Sequence, residues 1–157
     1  MRILIISEDF LPYIGGISHH VVKISKALAG RGHDVSMLVR VPKGYQCRSR
    51  DLERVRILPV HTAAISNGRL HKLRHLEFLL RGFRSCQKLK RNEHFDVVHW
   101  HGLWSDNLLA RLFRRNGSNL IFTNHSSRFL EVEANRIKRL GLKAWLTRPD
   151  ICISPSR

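Results

Sequence analysis

The segment from Arg2 to Val39 reads as one strand–helix–strand unit, and that unit sets the class of fold open to the chain. Arg2-Ile3-Leu4-Ile5-Ile6 is a short apolar run of the kind found in buried strands. A polar stretch then leads to Gly15-Gly16, after which Ile17, Val21, Ile24 and Leu28 recur at spacings of four, three and four. Gly32 ends this helix pattern, and Val35 to Val39 reads as a second strand. Strand, helix and strand in succession make a parallel crossover rather than a hairpin. Backbone N–H groups at such a helix start, approached over residues without a Cβ, suit a phosphate or another anion.

The alternation continues to the end of the chain. Val55-Arg56-Ile57-Leu58-Pro59-Val60 is a third strand, placed at a sheet edge because Pro59 cannot donate a ladder hydrogen bond. The polar, basic stretch from Val41 to Arg54 reads as a surface loop. Leu73, Leu76, Leu80 and Phe83 give the segment from Leu70 to Lys90 a helical period. Phe95 to Trp100 is a fourth strand, and Ser105 or Asp106 can cap a helix that runs to Arg115 and stops at Asn116-Gly117. Asn119 to Thr123 is a fifth strand, a helix is expected around Leu130 to Leu140, and Ile151-Cys152-Ile153 is a short sixth strand. About six strands separated by helices predict an α/β fold, a doubly wound, Rossmann-like parallel sheet with helices on both faces. Ligands in such sheets sit beyond the carboxyl ends of the strands, where strand order reverses. The loops after strands one, four and five hold Gly15-Gly16, His99-Trp100-His101-Gly102 and Asn124-His125-Ser126-Ser127, all rich in glycine, histidine or hydroxyl groups.

The 157 residues amount to a single domain with a globular balance of 43% hydrophobic and 25% charged residues. Cys47, Cys86 and Cys152 are far apart and form no CxxC pair, so neither a disulfide framework nor a thiolate zinc site is supported, and a reducing cytosol is expected. No run approaches a signal-peptide core or a membrane span. The charge is the outlier: 28 Lys and Arg against 12 Asp and Glu give +16, which predicts attraction to nucleic acid, anionic lipid or phosphorylated substrates. Arg69, Lys72, Arg74, Arg81, Arg84, Lys88, Lys90 and Arg91 face only Glu77 within their segment. That stretch is either an ordinary solvated helix face or an amphipathic basic helix able to lie on an anionic membrane.

Phe10-x-Pro12-x-x-Gly15-Gly16-Ile17, Arg31-Gly32-His33-Asp34-Val35, Asp96-Val97-Val98-His99-x-His101-Gly102, Thr123-Asn124-His125 and Pro149-Asp150-Ile151-Cys152-Ile153-Ser154-Pro155-Ser156 occur in this order along nearly the whole chain. Together they resemble the N-terminal, acceptor-side domain of GT-B glycosyltransferases, specifically the retaining family four. The resemblance implies transfer of a sugar from a nucleotide-sugar donor to a lipid or saccharide acceptor. In that family a C-terminal Rossmann-like domain holds the donor. Nothing in residues 1–157 matches it, so the chain is expected to be one half of the enzyme, inactive alone or dependent on a separate chain carrying the other half. No metal and no cofactor beyond the nucleotide-sugar co-substrate is expected. Several family members act on lipid-linked acceptors, which favours a cytoplasmic protein peripheral to the inner face of the membrane.

The resemblance also implies roles. Gly15 and Gly16 form the loop that curls over the donor diphosphate, although a plain tight turn before a helix explains them as well. His125 matches a family histidine near the reacting sugar; its implied role is hydrogen bonding to donor hydroxyls or to developing charge. His101 and His20 are acceptor-pocket candidates. His99 and His101 alternate along a strand and are expected to face opposite sides, which speaks against a joint metal site; His99 is then the packed one. Asp9 and Asp106 lie near the crevice by topology, but no carboxylate pair has acid–base spacing. Arg74, Arg81, Arg84 and Lys88 are the candidate membrane-binding residues. Two other functions compete: a non-catalytic partner subunit of the same fold, and a basic nucleic-acid-binding module. The second lacks the interleaved aromatics, recognition helix or zinc finger it would need, so no specific nucleic acid is expected.

Overall fold

The computed structural model describes residues 1–12, 15–45, 52, 54–63, 71–102, 105–125 and 148–154, the side chains at 71, 72 and 74 excepted. Six parallel strands form one sheet: β1 (Arg2–Ser7), β2 (Asp34–Pro42), β3 (Val55–Thr62), β4 (Val97–Trp100), β5 (Asn119–Thr123) and β6 (Ile151–Ile153). Their spatial order is β3-β2-β1-β4-β5-β6, with β1 hydrogen-bonded to both β2 and β4. The chain winds outward in one direction to β3, then returns past β1 and winds the other way. The reversal falls between β1 and β4. β3 is at the edge of the sheet, as Pro59 requires.

Strand periodicity sorts the core into two layers. Leu4 and Ile6 of β1, Val98 and Trp100 of β4, and Leu120 and Phe122 of β5 point to one face. There they pack against Phe78 and Cys86 of α2 (His71–Asn92) and Leu109 and Ala110 of α3 (Ser105–Arg111). Ile3 and Ile5 of β1 and Val35, Met37 and Val39 of β2 point to the other face. They meet Val21 and Ala29 of α1 (Gly16–Gly30), flanked by half-buried Ile17, Ile24 and Leu28. The predicted apolar stripe of α1 therefore packs as its spacing requires.

Three elements differ from expectation. α3 stops at Arg111, and a separate 3-10 turn at Arg114–Asn116 precedes Gly117, whose φ of 76° closes it. β2 extends to Pro42, so the expected surface loop begins later; Leu52 within it is buried, and most of the remainder lies outside the described residues. α2 is present, but Leu73, Leu76, Leu80 and Phe83, whose spacing announces it, are 44–60% exposed. The opposite side, with Phe78, Gly82 and Cys86, faces the sheet and α3. The helix expected around Leu130 to Leu140 lies outside the described residues. No helix among the described residues is long and apolar enough to cross a membrane.

Candidate functional site

The period-two rule that sorts the core also builds the site. Val98 and Trp100 occupy the α2 face, so His99 and, two residues on, His101 belong to the α1 face. On β5, Phe122 likewise faces α2, so Thr123 and His125 face α1. Residues two apart share a face, and the expectation that His99 and His101 diverge is wrong for that reason. Their rings lie 4.3 Å apart, tilted by 37°.

Three elements bring three imidazoles together beside the switch point. His20, in the second turn of α1, stands edge-on to His101 at 5.5 Å and to His125 at 4.8 Å between ring centroids. His101 Nδ1 and His125 Nε2 are 3.0 Å apart, a hydrogen bond for one pair of tautomers. His99 Nε2 meets Thr123 Oγ1 at 2.7 Å, so His99 is the packed residue and a brace for its neighbour. His99 and His101 are buried, whereas His20 and His125 are half-buried and open toward the crevice. His19 points to solvent.

Burial and mutual repulsion favour the neutral form of His99, His101 and His125. Burial lowers His99 to about 4, helped by His20 and His125. Burial holds His101 well below the ordinary imidazole value, with His99, His125 and His20 adding to the effect. His125 is lowered as well, by burial and then by His20. Neutral imidazoles at these three positions can donate and accept hydrogen bonds without carrying charge into the crevice.

Gly15 and Gly16 begin α1 on the same edge. Gly15 is extended (φ −160°, ψ 171°), its N–H donates to Ser18 Oγ at 2.8 Å, and its carbonyl accepts from the same hydroxyl. Neither glycine takes a positive φ, and a Cβ on either would meet nothing within 4 Å. Backbone strain therefore does not require glycine here; only a ligand brought close to this loop would.

Sequence reasoning missed the polar anchor beneath the crevice. Glu8, just past β1, is buried and accepts from Ser105 Oγ at 2.5 Å, while its carboxylate pairs with His75 at 2.6 Å and Arg40 at 3.3 Å. Its backbone N–H donates to Asp106 Oδ2 at 3.2 Å. The two expected caps of α3 thus spend their side chains on Glu8. Asp106 is wholly buried, and burial, then the Glu8 charge, pushes its carboxyl well above the usual range. The one signal for this network was the position of Ser7-Glu8-Asp9 directly after a strand at the switch point. Asp9 itself is exposed.

The basic residues lie apart from the histidine cluster, on α2. Arg81, Arg84 and Lys88 are exposed beside the outward apolar stripe, and Arg81 pairs with Glu77 at 2.9 Å. The side chain of Arg74 lies outside the described residues, as do Ser126 and Ser127.

A parallel sheet in this order, with histidines and a glycine-started helix at its carboxyl edge, defines a doubly wound, Rossmann-like α/β domain. The chain belongs to glycosyltransferase family 4, whose family pattern, Glycosyltransferase Family 4, matches residues 14–157. It is similar to alpha-monoglucosyldiacylglycerol synthase of Acholeplasma laidlawii, 28% identical over 128 residues that cover 81% of this chain and 30% of that protein. A segment of 45 residues is 51% identical to glycogen synthase of Mycobacterium tuberculosis, covering 28% of this chain and 11% of that one. The chain thus spans less than a third of the length of these relatives. A sucrose-phosphate synthase structure from Thermosynechococcus elongatus shares the fold with a TM-score of 0.61 at 14% identity, covering 100% of this chain and 90% of that one. MurG of Acinetobacter baumannii superposes with a TM-score of 0.55 at 13% identity, covering 99% of this chain and 41% of that one.

Proposed function

We propose that this domain forms the acceptor-side wall of a retaining glycosyltransferase that moves a sugar from a nucleotide-sugar donor to a lipid or saccharide acceptor. The observation that carries the reading is the meeting of Gly15-Gly16, His20, His101 and His125 at the strand-order reversal. In this reading the glycine loop borders the donor diphosphate, and the α1 N-terminus supplies N–H groups and a positive dipole end. His125, half-buried and neutral, hydrogen-bonds donor hydroxyls at the reacting centre. His101 and His20 line the acceptor side. Donor binding falls to a second domain outside these residues, so the domain alone does not turn over.

The outward face of α2 supports, within this reading, work at an anionic membrane surface. Leu73, Leu76, Leu80 and Phe83 form an exposed apolar stripe, and Arg81, Arg84 and Lys88 flank it. Charge complementarity selects lipid as the occupant: each Lys or Arg near such a surface contributes about 1 kcal/mol, and inserted Leu and Phe side chains add to it.

The test is made in the enzyme with its donor domain restored. His125→Ala is expected to lower turnover by about tenfold or more while acceptor binding and melting temperature stay near wild type. Normal turnover at unchanged stability removes His125 from the site. A lowered melting temperature with normal turnover of the folded fraction makes it structural.

A further inference from the structure

The His20–His101–His125 cluster has a property that sugar binding does not call for. One ring nitrogen from each of the three residues lies within 4.8 Å of the others. Tetrahedral zinc with bonds of about 2.0–2.1 Å places its nitrogens roughly 3.3 Å apart. His101 Nδ1 and His125 Nε2, at 3.0 Å, already match that span. The two remaining edges both run to the half-buried His20, and movement of that one side chain would have to close them.

One further nitrogen speaks for an absent positive partner. His20 Nε2 is buried, with no hydrogen-bond partner among the described residues. Leaving a buried polar atom unpaired costs about 1–3 kcal/mol, so an orphan in this cluster calls for an explanation. A chain of imidazoles hydrogen-bonding one another satisfies only some of its nitrogens, whereas a cation accepts a lone pair from every ring.

We propose that His20, His101 and His125 form a binding site for a divalent transition-metal ion of the zinc class. Three imidazoles suit zinc, copper and nickel, and they exclude magnesium and calcium, which take oxygen ligands. The ligands come from α1, the β4 loop and the β5 loop, so the ion ties together three elements at the carboxyl edge. Gly15 and Gly16 are exposed beside the cluster, and His125 is half-buried. Three protein ligands leave the fourth position of a tetrahedral ion to water or to a ligand in the crevice. If the crevice also takes the donor sugar as proposed above, ion and sugar compete for His125. The binding site itself does not depend on that reading.

The test uses the full chain, stripped with a chelator and titrated with cobalt(II) and then zinc(II). One equivalent of cobalt is expected to give the visible absorption of a tetrahedral site, zinc should displace it, and zinc should raise the melting temperature. His20→Ala and His125→Ala should each weaken zinc binding by about tenfold or more. His61→Ala, an exposed control on β3, should leave it unchanged, and magnesium should neither bind nor compete. Circular dichroism checks each variant; should His125→Ala lose the native spectrum, His20→Ala decides. The proposal is overturned by the absence of a saturable site. It is equally overturned by binding that survives both cluster substitutions, or by loss of binding in the His61 control.

Discussion

A Cβ on Gly102 would lie 2.6 Å from Asp106 Oδ2, and nothing in the buried crevice wall lets that carboxyl retreat freely. Glycine is required here by close approach. Asp106 in turn holds the Glu8 backbone, so one buried acid fixes two loops of the site. Because burial keeps its carboxyl protonated above the usual range, the folded protein retains a proton that the unfolded chain releases near pH 4. The folded state then binds more protons, and stability falls as pH rises from about 4 toward the folded-state value. Asp106→Asn keeps the carbonyl that accepts from Glu8 and removes this slope. Its stability relative to wild type should rise with pH, by up to about 1.4 kcal/mol per unit within that window. The Asn amide adds a constant offset that does not alter the slope. Urea unfolding of both proteins at pH 4, 5.5 and 7 measures this, and parallel curves would remove Asp106 as the source. Gly16→Val asks a different question at the same scale. Since nothing lies within 4 Å of the added Cβ and φ is not positive, the fold should tolerate the change with only the modest loss expected of a β-branched residue in a first helical turn. Loss of turnover in the two-domain enzyme at near-normal melting temperature would then report a ligand against this loop. A large drop in melting temperature would instead make the position structural.

α2 shows where sequence reading reaches and where it stops. The spacing of Leu73, Leu76, Leu80 and Phe83 correctly predicts a helix, yet those residues face outward. The buried side was concealed because it uses Phe78, Cys86 and a glycine. Gly82, which weakens a helix by about 1 kcal/mol relative to alanine, sits where a Cβ would come 2.8 Å from Leu109 Cδ1, so α2 and α3 approach closely there. An apolar stripe and a tight packing face coexist on one helix, and hydrophobicity alone cannot rank them. Cys86 follows from its position: burial pushes its thiol up to about 12, so thiol reagents should modify it only as fast as the protein opens. Rapid labelling of Cys86 in native protein, read by peptide mapping, would contradict the packing described. The outward face predicts sedimentation with phosphatidylglycerol vesicles that weakens with salt. Replacing Arg74, Arg81, Arg84 and Lys88 with Gln should reduce it, with Arg84 and Lys88 dominant because Arg81 is shared with Glu77. Leu76→Ser with Leu80→Ser should reduce it as well, without unfolding, since neither side chain packs inside. Binding unchanged in both variants would return α2 to an ordinary solvated helix.

At the scale of the whole molecule, the six strands, their parallel sense and the edge position of β3 were legible because strand runs, helical periods and Pro59 each leave a local mark. The candidate site was legible only as three separate loops. Its convergence depends on which face each strand presents at its end, and one misassigned face at His99 and His101 was enough to hide the histidine cluster. The Glu8 network was hidden more deeply: Arg40, His75 and the Ser105-Asp106 pair come from three distant segments, and no spacing links them. The same logic of distant parts governs activity. A cleft enzyme stabilises its transition state from both walls, and only interactions stronger there than in the ground state speed the reaction. Residues 1–157 supply one wall in the reading proposed above. The isolated chain, incubated with radiolabelled nucleotide sugars and a panel of lipid and saccharide acceptors, should therefore show transfer and donor hydrolysis at background. Joining it to a donor-binding domain of the same family should raise transfer well above background, and His125→Ala in that fusion should reduce the gain. Robust turnover by the isolated chain would place a complete active site within these residues and overturn the half-enzyme reading. A fusion that binds donor yet stays inactive regardless of His125 would turn the domain into a non-catalytic partner of the same fold.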